Sequence, residues 1–98
     1  MERHDIAIIG SGPAGLEAAV TATVRNKNII LFGSKSLSNK MQVVDHPIKN
    51  YLGLPEITGK EMAAAFQKQL DILDIEVTEK KVTAVYAMGS YYSLQLSC

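Results

Sequence analysis

The stretch from Ile6 to Gly15 constrains the fold more than any other part of this 98-residue chain. It reads IAIIGSGPAG, an apolar run that ends in a G-x-G-x-x-G pattern. The run favours a buried strand, and the glycines favour a tight turn into a helix. Gly10 permits the turn, Gly12 lets phosphates approach the backbone, and Gly15 lets the helix pack closely against the strand. The stretch therefore predicts a strand, turn and helix that bind a dinucleotide.

The predicted start of this helix is suited to an anion. Pro13 fits the first helical turn, where its missing N–H leaves no hydrogen bond unmade. The free backbone N–H groups and the positive end of the helix dipole both favour a bound phosphate. The candidate cofactor-binding residues of the turn are Gly10, Ser11, Gly12, Pro13, Ala14 and Gly15.

The next elements complete a βαβ unit. Small and apolar residues recur at helical spacing (Leu16, Ala19, Val20 and Val24), which predicts a helix from residue 13 to about residue 25. A second apolar strand is predicted from residue 28 to residue 32, ending at Gly33. Because residues 5–9 are nearly all apolar, the first strand is expected to be the central strand, buried on both faces.

The end of the second strand lacks an expected acid. Dinucleotide sites usually place Asp or Glu there for the ribose hydroxyls, whereas this chain has Phe32, Gly33, Ser34 and Lys35. Either other groups hold the ribose, or Ser34 and Lys35 face a 2′-phosphate as in NADP sites, or Lys35 is a solvated loop residue. The residues alone leave FAD and NADP open.

The segment from residue 34 to residue 58 is predicted to be a connection over the sheet edge. Within it, residues 50–55 combine bulky apolar side chains with Gly and Pro, which indicates an ordered segment. Asn50 could present its amide to a heterocycle. His46 precedes a proline and has no partner constellation, so a catalytic role is not expected.

The last forty residues predict a helix, a short strand and a hairpin. Thr58 and Glu61 form a capping-box pattern before an apolar stripe of Met62, Phe66, Leu70 and Leu73, which is expected to be core packing. Residues 75–77 are expected to add a third parallel strand. Residues 81–87 and 91–97 are predicted to pair as a hairpin, with one buried face formed by Tyr92, Leu94 and Leu96.

Composition narrows the functional classes. Ten basic and ten acidic residues give no net charge and form no basic cluster, so nucleic acid is not an expected partner. The apolar runs are too short to span a bilayer and residues 1–5 lead directly into a strand, so a cytoplasmic protein without membrane association is expected. The single cysteine, Cys98, allows no internal disulfide and no metal site of several cysteines.

Three blocks in order resemble one family. They are DIAIIGSGPAG at residues 5–15, IKNYLG at residues 48–53 and ITGKEM at residues 57–62. At this spacing the chain resembles the thioredoxin reductase-like flavoprotein disulfide reductases of the pyridine nucleotide-disulfide oxidoreductase superfamily. The resemblance implies an α/β fold: a Rossmann-like βαβ parallel sheet with a C-terminal β-hairpin, as in a truncated FAD/NAD(P)-binding domain covering residues 1–98.

The resemblance also implies FAD as the cofactor. The pyrophosphate would lie over residues 11–14, with Phe32, Gly33 and Ser34 on the adenosine side. Asn50 would approach the flavin, and the backbone of Val82 matches a position that contacts the adenine. Lys40 and Met41 replace a Gly-Gln-Leu element of the family near the flavin.

In that family electrons pass from a donor through flavin to a cysteine pair, and then to a disulfide of a protein such as thioredoxin. This chain contains no C-x-x-C and no second G-x-G-x-x-G, so no catalytic residue is assigned to it. The resemblance implies a longer, homodimeric parent enzyme whose donor is NADPH or, in a ferredoxin-linked relative, ferredoxin. A free-standing nucleotide-binding module without turnover is the alternative from another class.

Overall fold

The structure is a computed structural model that describes residues 2–35 and 47–97. Its elements, in chain order, are β1 (Ile6–Ile9), α1 (Pro13–Val24), β2 (Ile29–Phe32), α2 (Gly59–Ile72), β3 (Val77–Thr78), β4 (Lys81–Ala87) and β5 (Tyr92–Ser97). The predicted α/β class, with a parallel sheet and a hairpin, is confirmed. Four residues discussed above lie outside the described residues, namely Lys40, Met41, His46 and Cys98.

Within the described residues the parallel sheet has the order β1-β2-β3, so β1 lies at an edge of this sheet and the prediction that it is central is wrong. Ile6 to Ile9 pair in register with Ile29 to Phe32, and the end of β2 pairs with β3. Among the described strands β1 has a partner on one edge only, and this leaves Ile9 57% exposed. A strand needs neighbours on both edges and cover on both faces to be buried throughout. Here β2 fills the central position.

The main core joins both helices to the sheet. Its buried members are Leu16, Ala19, Leu31, Leu70, Ile75 and Val77. The prediction that Val24 belongs to the apolar face of α1 is wrong, because Val24 is 63% exposed while Ala22 is buried. Leu16, Ala19 and Ala22 are each three residues apart, so the buried stripe turns around the helix and away from Val24.

Helix α2 begins with the predicted capping box. The Thr58 hydroxyl accepts a hydrogen bond from the Glu61 N–H (3.1 Å), and the Glu61 carboxylate accepts one from the Thr58 N–H (3.0 Å). The hydrogen bond from the Thr58 N–H is the main cause that lowers the pKa of Glu61, and the Thr58 side chain lowers this pKa further. Of the predicted stripe, Met62 and Leu70 are buried, and Phe66 and Leu73 pack against the core, which confirms its role.

The antiparallel hairpin of β4 and β5 turns at Gly89, whose φ of +87° suits glycine. The ladder shifts by one residue at Thr83, so Val82 opposite Leu96 and Val85 opposite Leu94 share one face. The prediction that this face is buried is wrong, since Tyr92 is 73% exposed and Leu96 is 38% exposed. The alternation sorts apolar from polar side chains, but burial also needs a packing partner.

Among the described residues no helix is both long and apolar enough to cross a membrane.

Candidate functional site

The candidate site lies where the parallel strands end and α1 begins. The Gly10 N–H donates to the Phe32 carbonyl oxygen (2.8 Å), which joins the turn after β1 to the end of β2. Gly10 has a φ of +119°, a conformation that side-chain-bearing residues rarely adopt. The chain therefore leaves β1 sharply and starts α1 at this edge of the sheet.

Helix α1 starts without a cap from its own side chains. Gly12 is the N-cap residue, with φ −75° and ψ 178°, and it provides no side-chain hydrogen bond. Pro13 occupies the first turn, and no acidic residue lies there. The first N–H groups of a helix have no intrahelical acceptor and carry the positive end of its dipole. An anion supplied from outside would satisfy them.

The glycines around this turn differ in what an added side chain would meet. A Cβ on Gly15 would collide with the Gly10 carbonyl oxygen, and a Cβ on Gly33 would collide with the Ser11 side chain. Among the described residues, and apart from the chain neighbours of Gly12, no atom lies within 4 Å of a Cβ added there, and the Gly12 backbone lies in a region open to every residue type. Neither packing nor conformation thus requires glycine at position 12. The space in front of α1 is kept free of a side chain.

Ser11 ties the turn to the end of β2 through its side chain. Its hydroxyl accepts from the Ser34 N–H (3.0 Å) and donates to the Ser34 carbonyl oxygen (3.3 Å). Ser11 is 9% exposed, and Gly33 leaves room for its close approach. The hydroxyl of Ser11 is therefore a structural link, and a ligand would meet the backbone here.

Sequence reasoning missed an acidic residue at the same edge. Glu79 follows β3 directly, and its Oε2 accepts a hydrogen bond from the Lys35 N–H (3.1 Å). The pairing of β3 beside β2, with the Gly33 N–H donating to the Thr78 carbonyl oxygen (3.1 Å), brings these ends together. The available signal was an acid placed two residues after the third strand predicted at residues 75–77.

An open cleft of about 270 Å³ borders the start of α1. Its walls include Pro13 and Leu16 from α1, the 51–54 turn, and Phe66 from α2. The Tyr51 and Phe66 rings pack with their centroids 5.7 Å apart. Asn50 is exposed and precedes this turn, between the bridges that join Ile48 to Ile57 and Tyr51 to Leu54. Residues 51–54 of the predicted ordered segment therefore line this cleft together with Pro13.

Neither Val82 nor His4 is hydrogen-bonded to the glycine turn in the described part of the chain. Val82 lies in the hairpin, and no hydrogen bond in the described part of the chain joins it to the glycine turn. His4 lies at the opposite end of the sheet, where hydrogen bonds to Asn28 and then Glu2 raise its pKa. In residues 2–35 and 47–97, no three His, Cys, Asp or Glu side chains are grouped as metal ligands.

The glycine turn, βαβ unit and capping box belong to a region that matches a known family, pyridine nucleotide-disulphide oxidoreductase, over residues 4–95. The chain belongs to this family. The family assignment made from the three sequence blocks is confirmed, and solved structures of similar fold confirm the Rossmann-like architecture.

Individual members of the family are similar to most of the chain. A ferredoxin-flavin thioredoxin reductase from Clostridium acetobutylicum is 52% identical with a TM-score of 0.91, covering 98% of this chain and 33% of that one. Thioredoxin reductase from Lactococcus lactis is 29% identical with a TM-score of 0.83, covering 96% and 31%. Thioredoxin reductase from Peptoclostridium litorale is 36% identical over 90% of this chain and 31% of its own length. The chain thus spans about a third of these relatives.

Proposed function

We propose that this chain forms the pyrophosphate- and adenosine-binding part of an FAD site in a thioredoxin reductase-like flavoprotein. The observation that carries the proposal is the open space at Gly12 in front of the uncapped N-terminus of α1. The backbone groups there donate hydrogen bonds, and no carboxylate of the first turn repels an anion. The residues present therefore fit a pyrophosphate.

The chain's own residues would bind and orient the cofactor. The backbone from Ser11 to Ala14 would hold the pyrophosphate, together with Gly10, Gly12, Pro13 and Gly15 of the same turn. Phe32, Gly33 and Ser34 would support the adenosine side, because the Ser11 side chain and the Gly10 N–H fix that end of β2. Asn50 would approach the flavin and the Val82 backbone the adenine, and both assignments rest on the resemblance.

Bound FAD would supply electron transfer between a donor and a redox disulfide. A thioredoxin-like disulfide protein is the proposed acceptor, as the names of the relatives indicate. For the donor, the 52% identity to a ferredoxin-flavin thioredoxin reductase supports ferredoxin, against 29% and 36% for two thioredoxin reductases. NADPH is the second candidate. The homodimer, the cytoplasmic location and the boundaries 1–98 of a partial FAD-binding domain stay predictions.

An equilibrium titration of the chain with FAD tests the binding proposal. Flavin fluorescence is followed as protein is added, and ADP is then added to displace the flavin. Saturable binding that ADP reverses is the expected result, because both ligands carry the pyrophosphate and adenosine. Binding that ADP leaves unchanged, or no binding by a chain that circular dichroism shows to be folded, would overturn the proposal.

A second experiment separates the two donors. A flavoprotein that contains this chain together with a redox-active cysteine pair is mixed under anaerobic conditions with NADPH or with reduced ferredoxin. Bleaching of the flavin absorbance by reduced ferredoxin and not by NADPH is the expected result. The reverse pattern would contradict the ferredoxin assignment and leave FAD binding intact.

A further inference from the structure

Glu79 lies at the edge of the sheet where the candidate cofactor site is built. It is the first residue after β3, and the carboxyl ends of parallel strands meet at one edge. Its Oε2 accepts from the Lys35 N–H (3.1 Å), one residue beyond Ser34, which is itself joined to Ser11. Hydrogen bonds on either side of the Ser34–Lys35 peptide bond thus connect the glycine turn to the Glu79 carboxylate.

The Glu79 carboxylate could replace the ribose-binding acid that residues 32–35 do not contain. Dinucleotide sites of this fold use an acid after the second strand to accept hydrogen bonds from the adenosine ribose. Residues 32–35 contain no acid, but the Lys35 backbone holds one that comes from the neighbouring strand. We propose that Glu79 binds the 2′-hydroxyl of the adenosine ribose and makes the site select an unphosphorylated ribose. This inference rests on the proposed function.

The carboxylate has an oxygen available for a ligand. In the described residues Oε2 is the only Glu79 oxygen with a hydrogen-bond donor, which leaves Oε1 to accept from a hydroxyl. Hydrogen bonds to an ionised acceptor are the stronger kind. A 2′-phosphate at the same place would meet like charge, which gives discrimination by repulsion as well as by attraction.

The same geometry argues against a phosphate clamp made by Lys35. Lys35 contributes its backbone N–H to the bond with Glu79, and its side chain is exposed. No ion pair of Lys35 occurs within residues 2–35 and 47–97. Among the described residues at this edge, Glu79 is therefore the charged side chain that a hydrogen bond holds in place, whereas the Lys35 side chain is exposed.

Competition against FAD with three nucleotides tests the role of Glu79. The probes are ADP, 2′-deoxy-ADP and 2′-phospho-ADP, and the proteins are the unmodified chain, Glu79→Gln, Glu79→Ala and the control Glu76→Gln. Glu79→Gln keeps an oxygen acceptor for the Lys35 N–H and removes the charge. Glu76 is an exposed carboxylate that precedes β3, at the other end of that strand.

The unmodified chain and Glu76→Gln are expected to bind ADP about tenfold more tightly than 2′-deoxy-ADP, and to bind 2′-phospho-ADP most weakly. In Glu79→Ala the preference for ADP over 2′-deoxy-ADP should disappear, and in Glu79→Gln the penalty on 2′-phospho-ADP should fall. If Glu79 had only a structural role, its substitution would weaken the binding of all three nucleotides equally, and that result would overturn the inference.

Other outcomes separate this inference from the function on which it rests. If the unmodified chain binds FAD and ADP but does not distinguish 2′-deoxy-ADP, the role of Glu79 is wrong and the proposed function stands. If the folded chain binds neither FAD nor ADP, the proposed function fails and the inference fails with it.

Discussion

The two helices of the chain begin in opposite ways. Helix α2 satisfies its own N-terminus, because Thr58 and Glu61 exchange hydrogen bonds between side chain and backbone and a carboxylate lies in the first turn. Helix α1 starts with Gly12 and Pro13, has no side-chain cap and has no acid in its first turn. A side-chain cap stabilises a helix by about 1 kcal/mol, so α2 has a stabilising contribution that α1 lacks. The difference between the two N-termini supports the proposal that α1 receives an anion.

Filling the space in front of α1 should have the largest effect. We expect Gly12→Val to weaken FAD binding at least 100-fold, about 2.7 kcal/mol, because its side chain would occupy the proposed pyrophosphate position. The free energy of unfolding should change by about 1 kcal/mol or less, since within the described residues no atom beyond the chain neighbours lies within 4 Å of the added Cβ. FAD titration and urea denaturation measure the two effects.

A matched substitution at the start of α2 tests whether the loss of FAD affinity is specific to the start of α1. Lys60→Val places the same side chain in the first turn of α2, at an exposed residue, and should leave FAD affinity unchanged. Retention of full FAD affinity by Gly12→Val, or an equal loss in Lys60→Val, would remove the distinction between the two N-termini.

A substitution at Gly15 should affect stability more than FAD binding, which is the opposite of the result expected for Gly12→Val. A Cβ there would collide with the Gly10 carbonyl oxygen, so we expect Gly15→Ala to lower the free energy of unfolding by about 2 kcal/mol. Helix propensity alone predicts a gain of about 1 kcal/mol from the same change. Urea denaturation decides the sign, and a stabilised variant would show that α1 does not pack against the turn as described.

Removing the cap of α2 should cost stability without affecting ligand binding. We expect Thr58→Ala to lower the free energy of unfolding by about 1 kcal/mol and Thr58→Ser to retain most of it, because serine keeps the accepting hydroxyl. The pKa of Glu61, followed by NMR titration, should rise toward its ordinary value in Thr58→Ala. A change in FAD affinity in this variant would argue that α2 shares the site.

Lys35→Ala should have the smallest effect. The Lys35 N–H that binds Glu79 belongs to the backbone and survives the substitution, so FAD affinity should stay within about twofold. A tenfold loss, about 1.4 kcal/mol, would instead favour a phosphate contact by the Lys35 ammonium. The FAD titration described above measures either outcome.

Local patterns explain which parts of the fold were predictable. The glycine spacing from Gly10 to Gly15 and the Thr58–Glu61 capping box are encoded within six residues, and both helix starts were predicted correctly. The strands of the hairpin were also predicted, with β5 starting one residue later than expected. Short-range sterics and hydrogen bonds determine these features, so tertiary context changes them little.

The features that sequence reasoning missed depend on distant residues. The edge position of β1 follows from which strands pair, and the exposure of Tyr92 follows from the absence of a packing partner among the described residues. The bond between Lys35 and Glu79 joins residues 44 apart in the chain. Periodicity reports which face a residue occupies, but it does not report what covers that face.

Backbone amide signals give the most direct test of the contrast between the two helix starts. The chain, labelled with ¹⁵N, is titrated with FAD while its ¹H–¹⁵N correlation spectrum is recorded. We expect the largest shifts at the N–H groups of Ser11, Gly12, Ala14 and Gly15, and none at Gly59, Lys60 and Glu61. Shifts concentrated at the start of α2, or an unchanged signal from Gly12 at saturation, would contradict the account.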